Sequence, residues 1–377
     1  MNVLITGGAG FIGTHTTRAL VAQGHTVRIL DSLDPQIHGA APQFSAELQQ
    51  LADCRLGSVL SLSDCMQALD GVDAVYHMAA RTGVGQSMYE IADYVSTNVL
   101  GTAVLLEAIL KKKMQLHRLV LSSSRAIYGE GLYNCASHGV QHPEIRSVEA
   151  MNRGDFSMPC PHCQTAMQAL PTTEDCPSAP LSVYARTKKE QEDYCDYFAK
   201  TYRLPVTTLR YFNVYGSGQS LKNPYTGVVS IFFSLLREGK ALSMYESGLP
   251  IRDFVHVRDV VQANLLALSS PQAAGQKFNV GSGVPATIAD IARTQAQAMK
   301  LEASLEDRGE FRVGDIFACY ADLEHSRRDL GFKPQVDLLQ GMEEFVAWAS
   351  GQASANLYDK TVSELRAHGL FGQARRS

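Results

Sequence analysis

No stretch of this 377-residue chain strings together enough apolar residues to span a bilayer. No block of like charge is long enough to act as a polyanion-binding arm either: "KKK" (111–113) and "RR" (327–328) are short, and the net charge is −4. The first of these runs follows the apolar "TAVLLEAIL", where cations favour a helix C-terminus. Internal repeats and low-complexity tracts are lacking. The opening "MNVLITGG" has neither a charged leader nor a cleavable apolar segment. These absences exclude a membrane protein and a nucleic-acid binder, and the expectation is a cytoplasmic enzyme. Eight cysteines in such a chain read as free thiols or metal ligands, since a disulfide framework belongs to small secreted domains.

What is present begins with a strand–turn–helix–strand unit. "NVLITGG" is a β-branched run ending in glycine, "GGAGFIG" follows, "THTTRALVAQGH" has helical character to about Gly24, and "TVRILD" is a second strand. Gly8, Gly10 and Gly13 fit G-x-G-x-x-G, and Gly7, Gly10 and Gly13 fit the G-x-x-G-x-x-G variant. Without side chains, backbone N–H groups can approach a pyrophosphate at a helix N-terminus. Asp31, 21 residues after Gly10, can accept hydrogen bonds from a ribose diol and would repel a 2′-phosphate, which favours NAD over NADP.

Further strands are expected within 73–80, 117–124 and 205–213, separated by helices over 94–113 and 188–202. This is an α/β fold with a Rossmann-type doubly wound parallel sheet, and its ligands belong at the carboxyl ends of the strands. "HMAARTG", "SSSRAIYG" and "YFNVYG" fall there. In "SVYARTK", Tyr184 and Lys188 lie four apart behind the candidate cap Ser182, on one helical face. An ammonium near a phenol stabilises phenolate, and Ser124 could hydrogen-bond the same substrate oxygen. A Tyr-x-x-x-Lys pair alone reads more readily as a solvated helix face than as chemistry. Beside a nucleotide loop and a serine at a strand end it points to chemistry.

At these residues the chain resembles the extended short-chain dehydrogenase/reductase family, in its branch of nucleotide-sugar epimerases and dehydratases. The likeness runs through "TGGAGFIG", "YHMAA", "STNVLGT", "SSSRAIYG", "YARTK", "LRYFNVYG", "RDFVHVRDV", "FNVGSG" and "RVGDI". It implies Ser124, Tyr184 and Lys188 as the catalytic set. It implies contacts to a tightly bound NAD from Gly7, Gly10, Phe11, Ile12, Asp31, Val59, Ala79, Ala80, Asn98, Tyr184, Lys188 and Tyr211. Ser58 is a further cofactor position, where many family members carry an aspartate facing the adenine. The resemblance also places Asn213 near the sugar and diphosphate, Arg252 on the diphosphate, Tyr245 against the base, and Arg312 and Asp315 on ribose and phosphate. The plainer reading of Arg252 is an ion pair with Asp253 or Asp259.

Domain expectations follow. Residues 1–214 form the NAD-binding domain, 215–350 mainly a smaller α/β substrate domain with 255–270 returning to the first, and 351–377 a helical tail. Family likeness further implies a homodimer through helices 94–113 and 188–202. The residues after Ser124 are Arg125 and Ala126, with no acid before Tyr128, so a dehydratase would lack its general acid and base. What remains is 4-epimerisation of a nucleotide sugar through a transient 4-keto species. "PQIHG" (35–39), "VGQSMYEI" (84–91) and "NPYTGV" (223–228) resemble the dTDP-L-rhamnose 4-epimerases. A UDP-hexose 4-epimerase, a 4-ketoreductase and a non-enzymatic NAD-sensing protein are the alternatives.

Residues 131–178 stand apart. They hold four of the eight cysteines and three of the eleven histidines, on a connection expected to be much shorter. "CPHC" (160–163), flanked by Cys135 and Cys176, suggests a structural zinc on Cys135, Cys160, Cys163 and Cys176, with His138, His142 or His162 as alternative ligands. A reduced loop that binds nothing is the competing reading. A redox dithiol lacks the strand and helix context it needs.

Overall fold

The structure is a computed structural model that describes residues 1–39, 42–221, 227–352 and 358–374. Its largest sheet has seven parallel strands: β1 (Asn2–Thr6), β2 (Thr26–Asp31), β3 (Asp53–Leu56), β4 (Ala74–His77), β5 (Arg118–Ser124), β6 (Val206–Tyr211) and β7 (Lys277–Val280). They lie in the order β7-β6-β5-β4-β1-β2-β3, so the strand order reverses at the β1/β4 boundary. Ligands bind at the carboxyl edge of such a switch point. β4, β6 and all of β5 except Ser124 are buried residue by residue, as expected for strands covered on both faces.

Four helices position the site: α1 (Phe11–Ala22), α2 (Gly101–Lys111), α3 (Val183–Tyr202) and α4 (Val257–Ser269). α4 packs on α1, and β7 joins the edge of the main sheet, so the chain returns to the first domain over 257–280. The segment before α2 is not a plain α-helix. A π-helical turn over Val95–Leu100 turns Asn98 inward, where it is fully buried. Its amide accepts from Arg81 N (2.7 Å) and donates to Arg81 O (3.1 Å) and Thr187 Oγ1 (2.9 Å), tying the loop after β4 to α3. Such turns recur at functional sites.

The smaller unit is built on a mixed sheet of Asn213–Tyr215, Ile251–His256, Pro285–Thr287 and Ala318–Cys319. Its core includes Phe232, Phe233, Phe254, Ile291 and Phe345. Helix Val228–Arg237 covers it, while residues 223–226 of the expected loop lie outside the described residues. The tail is not wholly helical: after helix Tyr358–Ala367, strand Phe371–Gln373 pairs antiparallel with Glu310–Arg312.

The inserted segment leaves and rejoins the first domain at one point, where Ala179 N donates to Ile127 O at 3.0 Å. It folds into three antiparallel strands, Leu132–Cys135, Gly139–Gln141 and Gln168–Leu170, around Tyr133, Met158 and Met167. It is stitched to the substrate unit by Gly131 N to Ala318 O (2.9 Å) and Thr172 N to Tyr320 O (2.8 Å).

Candidate active site

The glycine turn after β1 is shaped for close approach. Gly7 sits at φ +72°, and a Cβ there would lie 2.7 Å from Ala79 N; at Gly13 it would lie 2.6 Å from Gly7 O. Any side chain would therefore push the turn away from β4 and from α1. Gly10 caps α1 without a side-chain hydrogen bond, so the first N–H groups of the helix are left for an anion. Asp31, at the end of β2, accepts from Ala9 N (3.0 Å) and Leu33 N (2.9 Å), which holds its carboxylate at the mouth of the turn. The cleft above this turn is lined by Gly7, Gly10, Phe11, Ile12, Asp31, Ser58, Val59, Ala79, Ala80, Ser124, Tyr184, Lys188 and Tyr211. Asn98 stands behind the wall and anchors it through Arg81. Ser58 supplies no carboxylate; its N–H donates to Asp64 Oδ2 at 3.0 Å. The cradle and the exposed helix terminus fit a dinucleotide.

α3 starts at Ser182, whose hydroxyl accepts from Ala185 N at 3.1 Å. That start sets Tyr184 in one cleft with Ser124 at the end of β5. Burial raises the Tyr184 pKa, opposed by the Ser124 hydroxyl and by the charge of Arg125. Lys188 lies one turn further on. It donates to Ser122 O (2.6 Å) and Gln191 Oε1 (2.7 Å), and burial lowers its pKa to about 8. The expected depression of the tyrosine pKa by Lys188 is therefore not seen: the ammonium is turned toward β5, and desolvation wins at the phenol. Tyr211 is fixed by donation to Asn264 Oδ1 at 2.6 Å.

Arg210 and Glu192 support this edge from below as a buried pair, Nη2 to Oε2 2.8 Å and Nε to Oε1 3.1 Å. Glu192 also accepts from Ser123 Oγ (2.5 Å) and Lys277 Nζ (3.2 Å). Its carboxyl stays below the usual range although burial pushes it up, because the Arg210 hydrogen bonds and charge outweigh burial.

Beyond Ser124 the site becomes cationic. Arg252 is buried and donates to Asp315 Oδ1 (2.8 Å), Ile316 O (2.7 Å) and Phe317 O (3.0 Å). It is not a surface partner of Asp253 or Asp259. Asp253 accepts from the N–H groups of Ser282, Gly283 and Ala321, and Asp259 from those of Gln335 and Val336. Arg312 lies over the Tyr245 ring at 5.0 Å from its centroid. Asn213 Oδ1 and Arg312 Nε are buried without a partner among the described residues, as polar atoms reserved for a ligand would be.

The sequence leaves Arg125, a large charge beside Ser124, open between a substrate contact and a solvent-facing residue, and it misses Arg146. Arg125 faces the site and not solvent: Arg252, Asp315 and Tyr184 all act on its charge, and its pKa is lowered first by burial and then by Arg252. Arg146 of the insertion is buried against Glu246 and donates to Asp315 O at 3.2 Å, joining insertion, substrate unit and site. Nothing in the local pattern of "PEIRSVEA" marks Arg146. Arg125 was marked by its charge and its place next to Ser124.

The expected metal set is not brought together. Cys176 is buried in the main core, where its neighbours in charge are Cys319, Asp175 and Arg210, while Cys135, Cys160 and Cys163 gather around His138. The reason is topological: Cys176 lies beyond the strand Gln168–Leu170, on the way back to the first domain.

The family model described as "NAD dependent epimerase/dehydratase family" matches residues 3–154 and 156–281. The chain belongs to this family. It is 36% identical to a dTDP-L-rhamnose 4-epimerase of Burkholderia thailandensis, over 92% of this chain and 94% of that one. Among solved structures it is similar to UDP-glucuronic acid 4-epimerase of Bacillus cereus in complex with UDP-glucuronic acid and NAD. The TM-score is 0.75 and the identity 25%, over 93% of this chain and 99% of that one. UDP-glucose 4-epimerase of Thermotoga maritima with UDP-glucose gives a TM-score of 0.74 and 29% identity, over 93% and 99%.

Proposed function

We propose that the protein interconverts dTDP-L-rhamnose and dTDP-6-deoxy-L-talose. It is an NAD-dependent nucleotide-sugar 4-epimerase, an isomerase of the family just named. Within that class the rhamnose substrate is supported by the 36% identity to the Burkholderia enzyme and by the segments 35–39 and 84–91.

The single observation that carries the chemistry is that Ser124 at the end of β5, Tyr184 and, one helical turn on, Lys188 line one cleft with the glycine turn. Bound NAD supplies the acceptor and then the donor of hydride at the sugar C4. Tyr184 takes the O4 proton as hydride leaves and gives it back as hydride returns. Ser124 holds the same oxygen, so that the developing carbonyl keeps a hydrogen bond. The charge of Arg125 opposes burial and favours the phenolate, and Lys188, one helical turn on, is held in the cleft by Ser122 O and Gln191 Oε1. Arg125 and Arg252, set around Asp315, grip the diphosphate through charge-assisted hydrogen bonds while the 4-keto sugar turns over. Asn213, Tyr245 and Arg312 receive the sugar, base and ribose. Tyr194 and Tyr197 on α3 are exposed, as are Ile91, Val95 and Leu100 just before α2, and we assign this face to a homodimer.

The test is to add enzyme, with no added cofactor, to dTDP-L-rhamnose and to follow the sugar by proton NMR. An isomer of unchanged mass, reaching one ratio from either side, is the expected result. No turnover of dTDP-L-rhamnose with turnover of UDP-glucose would move the assignment to a UDP-hexose 4-epimerase. No isomerisation of dTDP-L-rhamnose, with a mass gain of two on a 4-keto nucleotide sugar that depends on added NAD(P)H, would make it a ketoreductase.

A further inference from the structure

We propose that the inserted segment binds one structural zinc ion through Cys135, His138, Cys160 and Cys163. The four ligand atoms all lie within 4.8 Å of one another. Cys135 Sγ is 3.6 Å from His138 Nδ1 and 3.6 Å from Cys163 Sγ, and Cys160 Sγ is 3.6 Å from His138 Nδ1. A zinc held at about 2.3 Å by sulfur and about 2.05 Å by nitrogen needs tetrahedral edges of roughly 3.8 Å between sulfurs and roughly 3.6 Å between sulfur and nitrogen. These three separations match those edges to about 0.2 Å, and the remaining pairs lie within 4.8 Å. A disulfide requires sulfurs about 2.05 Å apart, so none of these cysteines is bonded in that way.

The sequence pairs the ligands with one spacing. Cys135-Ala-Ser-His138 and Cys160-Pro-His-Cys163 each place two donors three residues apart, across two turns that face one another. The first turn links strands Leu132–Cys135 and Gly139–Gln141. The second is closed by Cys160 N to Thr165 O (2.8 Å) and Gln164 N to Cys160 O (2.9 Å), with Gln164 at φ +60°. Outside the four ligands, Thr165 Oγ1 lies 3.5 Å from Cys163 Sγ. A hydroxyl at that position can hydrogen-bond a metal-bound thiolate. On binding, the three cysteines release their thiol protons and histidine binds neutral, so the site carries one net negative charge.

The site has a mechanical consequence. The apolar cluster of Tyr133, Cys135, Met158, Cys160, Met167 and Ala318 is small for a segment of this length, and the metal closes its far end. Its near end is Glu130, which accepts from Tyr133 Oη (2.7 Å) and from Phe317 N (2.8 Å), beside the carbonyls that hold Arg252. The clasp therefore steadies one wall of the substrate site and takes no part in the sugar chemistry.

The experiment uses full-length protein purified without a histidine tag or chelator. Elemental analysis is expected to find one zinc per chain, and cobalt exchanged into the site should give the intense visible bands of tetrahedral coordination by three sulfurs and one nitrogen. Cys163→Ser and His138→Ala should each lose the metal, His138→Cys should keep it with a cobalt spectrum shifted toward that of four thiolates, and Cys176→Ala should keep it unchanged. Wild-type protein that carries no zinc and takes up neither zinc nor cobalt would overturn the proposal. Retention of full zinc by Cys163→Ser would do the same, as would a cobalt spectrum without thiolate charge transfer. Should a ligand variant fail to fold, the wild-type stoichiometry and cobalt spectrum decide alone.

Discussion

Replacing Lys188 by methionine should abolish turnover yet relieve a strain on the fold that depends on pH. Lys188 is buried, and its pKa falls from 10.5 to about 8 because burial penalises the ammonium. At about 1.4 kcal/mol per pH unit, that difference corresponds to about 3 kcal/mol of destabilisation while the group is charged in both states. Between pH 8 and 10.5 the unfolded chain binds the proton and the folded chain does not, so wild-type stability rises with pH across that window. Below it the full penalty stands. The methionine variant has no such term, but it leaves Ser122 O and Gln191 Oε1 without their donor, a loss of about 1.5–3 kcal/mol for each hydrogen bond to a charged group. Together the two lost bonds, about 3–6 kcal/mol, equal or exceed the penalty removed near neutral pH, so the diagnostic quantity is the change with pH. Paired urea melts of nucleotide-free wild type and Lys188→Met should show the wild type gaining about 3 kcal/mol on the variant from about pH 7 to 10.5. Other titrating groups drop out of the difference. A difference that stays flat, or that moves against the wild type, would refute the depressed lysine and with it the buried-cation reading of the site.

Tyr184→Phe should lower kcat by about 10²–10⁴ with KM little changed, since it removes the proton carrier and leaves the binding groups; steady-state kinetics decide this. Arg252→Lys and Arg125→Leu should each raise KM more than they lower kcat, a split that would fail if either residue served only the fold. Gly7→Ala should lose NAD and soluble yield together, because its Cβ would meet the Ala79 backbone at 2.7 Å; absorbance of the purified protein reports the nucleotide. Glu246→Ala strands the Arg146 charge in the interior and should destabilise the protein by about 3–5 kcal/mol, whereas Glu246→Ala combined with Arg146→Met should recover much of that in thermal melts.

The parts of the site that the sequence reveals are those in which a few neighbouring residues do the work. The glycine turn, Asp31 at the end of β2, and Tyr184 with Lys188 are each set by spacing along one strand or helix, so residue order and geometry coincide. The π-helical turn that buries Asn98 is a departure of one hydrogen-bond step, which side-chain periodicity does not register. Arg125 and Arg146 depend on partners 100 residues or more away along the chain, namely Arg252, Asp315 and Glu246. No local pattern encodes such contacts. The metal cluster shows the same division. "CPHC" is visible at once, but choosing between Cys176 and His138 requires knowing which way the chain turns after Gln168–Leu170. The matched Cys-x-x-His spacing at 135–138 was the available clue. β7 and the strand Phe371–Gln373 are short segments whose identity comes from the strand beside them, Val206–Tyr211 and Glu310–Arg312.

The central claim is that hydride leaves C4 and returns to the same carbon without escaping the site. Substrate dTDP-L-rhamnose carrying deuterium at C4 tests it most directly. Incubated in ordinary water without added cofactor and read by NMR and mass spectrometry, the epimer should retain the full label at C4, with none lost to solvent. Loss of the label to water in step with product formation would contradict the account.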